Sequence, residues 1–236
     1  MKNRFKISAA ALLLTATLLC SCGKLCGMKP SQAYNASREA LSGATEYEIT
    51  TERRVTSTDG LEVISSDKAT YRRKGDRFYM QNADATNPLL NMEGWYVDGY
   101  SYASYRTMKI KTPTTLSEYV SSNGSASAYL PKIEDTHFQK LKFEGDDEKF
   151  ITLTFSSAQY KEIFGELGIG GEIDGEITYT VYFDENASVT STVTDFYMIL
   201  SEARLHSVTK TVISLSSPDV SEPENADSFQ LIENGK

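Results

Sequence analysis

Between Thr45 and Thr107 the chain repeats one pattern: an extended run with alternating side chains, a Gly/Asp pair, and another extended run. Tyr47, Ile49, Thr51, Arg53 and Val55 share one parity, Asp59-Gly60 interrupts, and Leu61, Val63 and Ser65 resume it. A period of two sends successive side chains to opposite faces of a strand. Asp-Gly favours the backbone conformation that a tight hairpin needs. Lys68 to Lys74 reads as a further strand, Gly75-Asp76 as a turn, and Arg77 to Gln81 as a strand with Phe78 and Met80 opposite Tyr79. After a loop from Asn82 to Pro88, residues 91–107 fold back around Asp98-Gly99, with Trp95, Tyr96 and Val97 before it and Tyr100, Tyr102 and Tyr105 after it. Aromatic residues alternating with small or polar ones suit a half-buried antiparallel sheet.

Helical signals flank this sheet. Ser31 is placed to cap a helix whose small face uses Ala33, Ser37, Ala40, Leu41 and Ala44. Thr115 to Tyr119 reads as a short helix before a Ser/Gly-rich loop at 121–127. Phe138 to Phe143 and Lys149 to Phe155 read as two more strands. Ser156 and Gln159 form a capping box, and Tyr160, Ile163, Phe164 and Leu167 then recur at helical spacing. Residues 176–183, 188–201 and 204–215 form a meander, with Leu205, Ser207, Thr209, Thr211 and Ile213 on one parity. Beyond Pro218 the tail carries five acids against one lysine, a composition expected to be disordered, with Phe229, Leu231 and Ile232 as its candidate docking residues.

The N-terminus sets the compartment. Lys2, Arg4 and Lys6 precede an uncharged run from Ile7 to Leu19, whose 13 residues suit a secretory signal better than a membrane span. Leu19-Cys20-Ser21-Cys22 resembles a lipobox, in which a small residue precedes the cysteine that is acylated. Cys20 and Cys26 each follow a leucine, so Cys22 is the expected lipidation site. Several acyl chains on one cysteine hold a protein stably to a bilayer, where one chain holds it only marginally. Residues 1–21 are thus expected to be a signal peptide and 22–30 an acylated tether, with 31–216 the folded domain and 217–236 the acidic tail. Removing 21 of 236 residues leaves 215, and losing Lys2, Arg4 and Lys6 moves the formal charge from −8 to −11. That charge gives no electrostatic reason to bind nucleic acid or an anionic membrane surface. The membrane is a partner through acylated Cys22 alone. With Cys22 modified only Cys26 keeps a thiol, so no internal disulfide forms and the core must stabilise the domain.

An acylated cysteine, an N-terminal helix, long antiparallel strands with Asp-Gly turns, a midchain helix and a closing meander together resemble the LolA-like bacterial lipoproteins. That group includes the outer-membrane lipoprotein carrier and the mycobacterial LppX/LprG-type lipoproteins. The segment Trp95-Tyr96-Val97-Asp98-Gly99-Tyr100-Ser101-Tyr102 is similar to the aromatic hairpin of members from Gram-positive bacteria, and the resemblance covers residues 31–216. It implies an α+β fold: a strongly curved antiparallel sheet, or half-barrel, packed against two or more helices. It also implies a noncatalytic protein outside the cytosol, anchored to the cell membrane, that binds a lipid or other apolar ligand between sheet and helices. Trp95, Tyr96, Tyr100, Tyr102 and Tyr105 are the candidate ligand contacts. The rival expectation is a cell-surface interaction or scaffolding module, with a filled core and a protein partner.

Catalysis has little support. His137 and His206, the only histidines, lie 69 positions apart, and no His-Glu-x-x-His, Gly-x-Ser-x-Gly or phosphate-loop pattern occurs. The run Asp146-Asp147-Glu148 reads as a solvated turn. Gly165 to Gly171 follows a helix, the reverse of the order that binds dinucleotides. The reading therefore holds no catalytic residue, no metal site and no cofactor.

Overall fold

A computed structural model describes residues 24–123, 126–165 and 171–232. Cys22 and the signal sequence lie outside the described residues. Eleven strands form one sheet: β1 (Glu46–Ser57), β2 (Val63–Lys74), β3 (Arg77–Asp84), β4 (Met92–Val97), β5 (Tyr100–Tyr105), β6 (Met108–Pro113), β7 (Lys149–Phe155), β8 (Glu172–Phe183), β9 (Val189–Leu200), β10 (Ala203–Ser214) and β11 (Gln230–Leu231). Their spatial order is β11-β6-β5-β4-β3-β2-β1-β10-β9-β8-β7. Every pairing is antiparallel except β11 against β6. The expected hairpins at Asp59-Gly60, Gly75-Asp76 and Asp98-Gly99 and the closing meander are present. At Asp98-Gly99 both residues take positive φ, 50° and 85°, as the two central positions of a primed hairpin turn require.

The half-barrel expectation is corrected. The sheet is open and is not strongly curled: β7 pairs only with β8, and β11 only with β6. Sharp curling needs extra residues inserted into the ladder. The register shifts only between β1 and β2 and between β8 and β9, while β2 through β6 pair without interruption.

Among the described residues, three α-helices accompany the sheet: α1 (Pro30–Gly43), α2 (Leu116–Asn123) and α3 (Ser157–Phe164). Helix α1 begins one residue before the expected cap. Pro30 opens it, where a missing N–H costs nothing, and Gln32 Oε1 accepts the Lys29 N–H at 2.9 Å. Its buried face is Ala33, Tyr34 and Leu41, while Ala40 points to solvent. Ser37 Oγ donates to Ala33 O and accepts the Val189 N–H, each at 2.9 Å, tying α1 to the start of β9. Helix α3 has the expected box, with Ser156 Oγ accepting from Gln159 N and Gln159 Oε1 accepting from Ser156 N.

No strand forms over 138–143. Phe138 ends a short 3-10 turn, Asp135–Phe138, and the chain then runs irregularly across the sheet. Phe138 packs on Tyr34, and Phe143 meets Phe183 edge-on. This irregular cover, α1 and α3 bury one face of the sheet, here the inner face. Tyr47, Ile49 and Val55 of β1 join Ile151, Leu153 and Phe155 of β7 and Ile177, Tyr179, Val181 and Phe183 of β8 in one continuous core. Phe196 and Met198 of β9 and Leu205 and Ile213 of β10 complete it.

Candidate functional site

Register alone dictates what the inner face presents at its middle. Asp67 pairs with Arg53, Arg53 with Thr209, and Thr209 with Thr194, so one row crosses β2, β1, β10 and β9. The adjacent rows bring Thr51 beside Thr211, and Ser207 between Val55 and Phe196. Where a continuous apolar core would have Val or Ile, the strands carry hydroxyls and an ion pair.

Thr51, Arg53, Asp67, Thr194, Ser207 and Thr209 floor a cleft of about 640 Å³, flanked on the sheet by Tyr71 and Phe196 and roofed by Tyr129, Tyr160 and Phe164. Arg53 Nε donates to Asp67 Oδ1 at 2.9 Å, and both side chains are about one-third exposed. Thr51 and Thr211 hydroxyls bond at 3.1 Å. Ser207 is fully buried, and its Oγ has no hydrogen-bond partner. A buried hydroxyl without a partner costs roughly 1–3 kcal/mol, so a polar group entering the cleft beside Ser207 would recover free energy. On the roof, Tyr160 and Phe164 stack at 4.2 Å, held parallel by one turn of α3, and Tyr129 meets Tyr71 of the sheet at 5.4 Å. Burial raises the Tyr160 phenol above its ordinary pKa. Burial, with Tyr71 adding to it, pushes the Tyr129 phenol far up. Both rings therefore stay neutral donors and contribute apolar surface.

A second concavity lies on the outer face, over β2 to β6. Tyr79 pairs with Trp95, Trp95 with Tyr102, and Tyr102 with Lys111, which puts three rings and a cation in one row. Tyr79 Oη donates to Glu93 Oε1 at 3.0 Å, and burial together with that carboxylate moves the phenol up to about 12. Lys111 Nζ sits 4.2 Å from the Tyr100 ring centre and 4.9 Å from that of Tyr102. Residues 219–229 arch over this row, leaving about 480 Å³ between strap and sheet.

The five expected aromatic contacts are thus divided between faces. Trp95, Tyr100 and Tyr102 share the outer face. Tyr96 is buried on the inner face, with its ring 5.3 Å from Tyr119 of α2. Tyr105 shares the inner parity at the far end of β5, where the Arg106 guanidinium lies over its ring. None of the five lines the inner cleft. Of its residues the sequence marks Thr51 and Arg53 on the β1 parity, Ser207 and Thr209 on the β10 parity, and Tyr160 and Phe164 at helical spacing.

The histidines also lie apart. His137 meets Phe155 edge-on beneath the irregular cover. His206 stacks on Tyr197 of the outer face, with Nε2 2.8 Å from Asp195 Oδ1. Among the described residues, no three His, Cys, Asp or Glu side chains gather as a metal site would need.

No protein-family model and no curated protein matches the chain. Among solved structures it is distantly similar to the Mycobacterium tuberculosis lipoprotein LppX, at 12% identity and a TM-score of 0.39, over 81% of this chain and 98% of that one. A LolA superfamily protein from Nitrosomonas europaea matches at 9% identity and a TM-score of 0.27, over 86% of this chain and 98% of that one. The MucA/MucB complex of Pseudomonas aeruginosa matches at 9% identity and a TM-score of 0.29, over 80% of this chain and 58% of that one.

Proposed function

We propose that this protein is a noncatalytic lipoprotein, held outside the cytosol by acyl chains on Cys22, that carries an amphiphilic ligand in the inner cleft. The observation that supports this reading is the division of the cleft into a polar floor and an aromatic roof. Its volume of about 640 Å³ falls within the roughly 300–1,000 Å³ of small-molecule sites. A carrier of bare alkyl chains gains nothing from Arg53, Asp67, Thr194, Ser207 and Thr209 along its floor. An amphiphile gains from both walls: each methylene laid against the rings contributes about 0.8 kcal/mol, and its hydroxylated or charged end meets the row from Asp67 to Thr194. Lipids with polar headgroups are the ligand class that fits.

Protein secreted without its anchor, as Cys22→Ser, tests the ligand directly. Organic extraction and mass analysis are expected to recover an amphiphile in about one-to-one amount. Thr209→Phe places a ring in the cleft at a half-buried position, and is expected to lower recovery at least tenfold while the protein still folds. Lipid-free protein from a host rich in candidate amphiphiles would sink the proposal. Metabolic labelling with a palmitate analogue tests the anchor separately: the label is expected on the wild-type chain and absent from Cys22→Ser.

A further inference from the structure

After Ser214 the chain leaves β10 and crosses the outer face to reach β6, six strand spacings away, or roughly 29 Å. Pro218, Val220, Pro223 and Phe229 are buried, while Asp219, Glu224 and Asp227 are exposed and Glu222, exposed as well, reaches Tyr102. The crossing is held at few points. Phe229 meets Trp95 and Tyr102 edge-on, with ring centres 6.2 and 5.4 Å apart. Glu222 accepts a hydrogen bond from Tyr102 Oη at 2.9 Å. Lys109 Nζ bonds Ser228 Oγ at 3.3 Å and lies over the Phe229 ring. Gln230 and Leu231 add a two-residue parallel strand to the edge of β6, and Ile232 N donates to Lys111 O at 2.8 Å.

This is how a groove holds a peptide. One aromatic anchor in a pocket, backbone pairing to a free sheet edge and a charge-matched flank together define strand addition. The space of about 480 Å³ left beneath residues 219–225 sharpens the point. That space opens to solvent, so the strap spans the row of rings without filling it. Its walls, Arg72, Tyr79 and Trp95 on the sheet, would accept a bulkier occupant than the Val220-Pro223 stretch that now spans it.

We propose that the outer face of β2 to β6 is a docking groove for an extended acidic segment of a partner protein that carries a phenylalanine, and that residues 218–232 occupy it in cis as a competing mimic. The strap itself supplies the chemistry of the occupant: Phe229 for the Trp95–Tyr102 pocket, Glu222 beside Tyr102 and Lys111, and a backbone edge for β6. The groove is on the face opposite the ligand cleft, so this proposal stands apart from amphiphile carriage.

Trp95, the single tryptophan, reports on the groove directly through its fluorescence. A chain ending at Ser217 is expected to bind a synthetic peptide of residues 218–232 saturably, more weakly as salt rises, and at least tenfold more weakly with Lys111→Glu. The full chain is expected to bind the same peptide at least tenfold more weakly than the truncated one, because a strap on a short tether competes at about millimolar effective concentration. Phe229→Ala in the full chain loosens the strap without touching the sheet, and is expected to raise peptide affinity above wild type even if truncation impairs folding. A folded truncated chain with no saturable response, or equal binding by truncated and full chains, would overturn the proposal. A concentration-dependent dimer of the full chain that truncation abolishes would overturn it too, by assigning the groove to the tail of a second copy.

Discussion

The two ends of the sheet use the same antiparallel ladder and differ in what covers them. At the β7–β10 end, strands of up to 12 residues meet α1, α3 and an irregular cover in one continuous core that holds Tyr34, Phe155, Ile177 and Tyr179 almost without exposure. At the β4–β6 end, strands of six residues carry a small separate cluster on the outer face, Val97 and Tyr102 under Phe229 of the strap. Pairing therefore makes the sheet continuous, but burial makes it stable, and burial is uneven. Binding surfaces belong where local free energy is low. The aromatic groove occupies the weakly covered end, and the inner cleft opens where the core of the strong end gives way to hydroxyls.

The largest effect that separates the two ends is a matched pair of truncations. Phe155→Ala removes a ring from the main core and is expected to cost about 3–5 kcal/mol. Phe229→Ala removes the same ring from the outer cluster and is expected to cost about 1–2 kcal/mol, because the strap can lift without unfolding the sheet. Urea denaturation with an unchanged slope checks both. Equal losses would show that the strap is part of the cooperative core, and would break the comparison.

Alkaline pH gives a second, smaller contrast. Tyr34, Tyr47, Tyr119, Tyr129, Tyr160 and Tyr179, all facing the inner side, have phenols raised chiefly by burial, Tyr119 up to about 12. On the outer face, Tyr79 and Tyr102 are raised as well, again chiefly by burial. The folded state holds these protons more tightly than the unfolded chain, whose phenols titrate near 10. Stability is therefore complete below pH 10 and falls as pH rises from about 10 through 12. Melting temperature against pH is expected to bend downward there, and replacing Tyr119 with Phe is expected to flatten the bend.

What could be read from the chain follows the range of the interaction. Alternation and Asp-Gly pairs are local, so β1 to β5 and the meander were legible, as was α3 from Ser156 and Gln159, whereas β6, entered through Arg106-Thr107 with no such pair, was not. The run 138–143 was not, because Phe138, Leu141 and Phe143 serve as separate plugs in a cover whose spacing follows the sheet beneath them. Curvature was not legible either, since it depends on where the ladder slips, and no composition marks the shift between Val55 and Thr56. Among the site residues, Trp95 and Tyr96 are adjacent in an aromatic run, yet alternation sends their rings to opposite faces. An aromatic residue within an acidic tail singled out Phe229, but its pocket is made by β4 and β5 more than a hundred residues earlier. The inner cleft was hidden for a similar reason: Ser207 and Thr209 read as an ordinary strand face until Tyr129 and α3 are set above them.

The smallest expected effect concerns the hydroxyl at the base of the cleft. Ser207→Ala removes a buried donor that has no partner, so in ligand-free protein it is expected to change stability by less than about 1 kcal/mol, in the stabilising direction. Ser191, buried on the outer parity of β9, serves as the control: Ser191→Ala lies outside the cleft lining and leaves ligand retention untouched. If an amphiphile places a polar group on Ser207, the same alanine is expected to weaken its retention by about 0.5–1.5 kcal/mol, the net value of one hydrogen bond. Opposite signs in the empty and loaded protein, read by thermal unfolding and by recovered ligand, would mark Ser207 as a ligand contact. A loss of stability in the empty protein would mean that water already satisfies the hydroxyl, and the polar floor would then be structural.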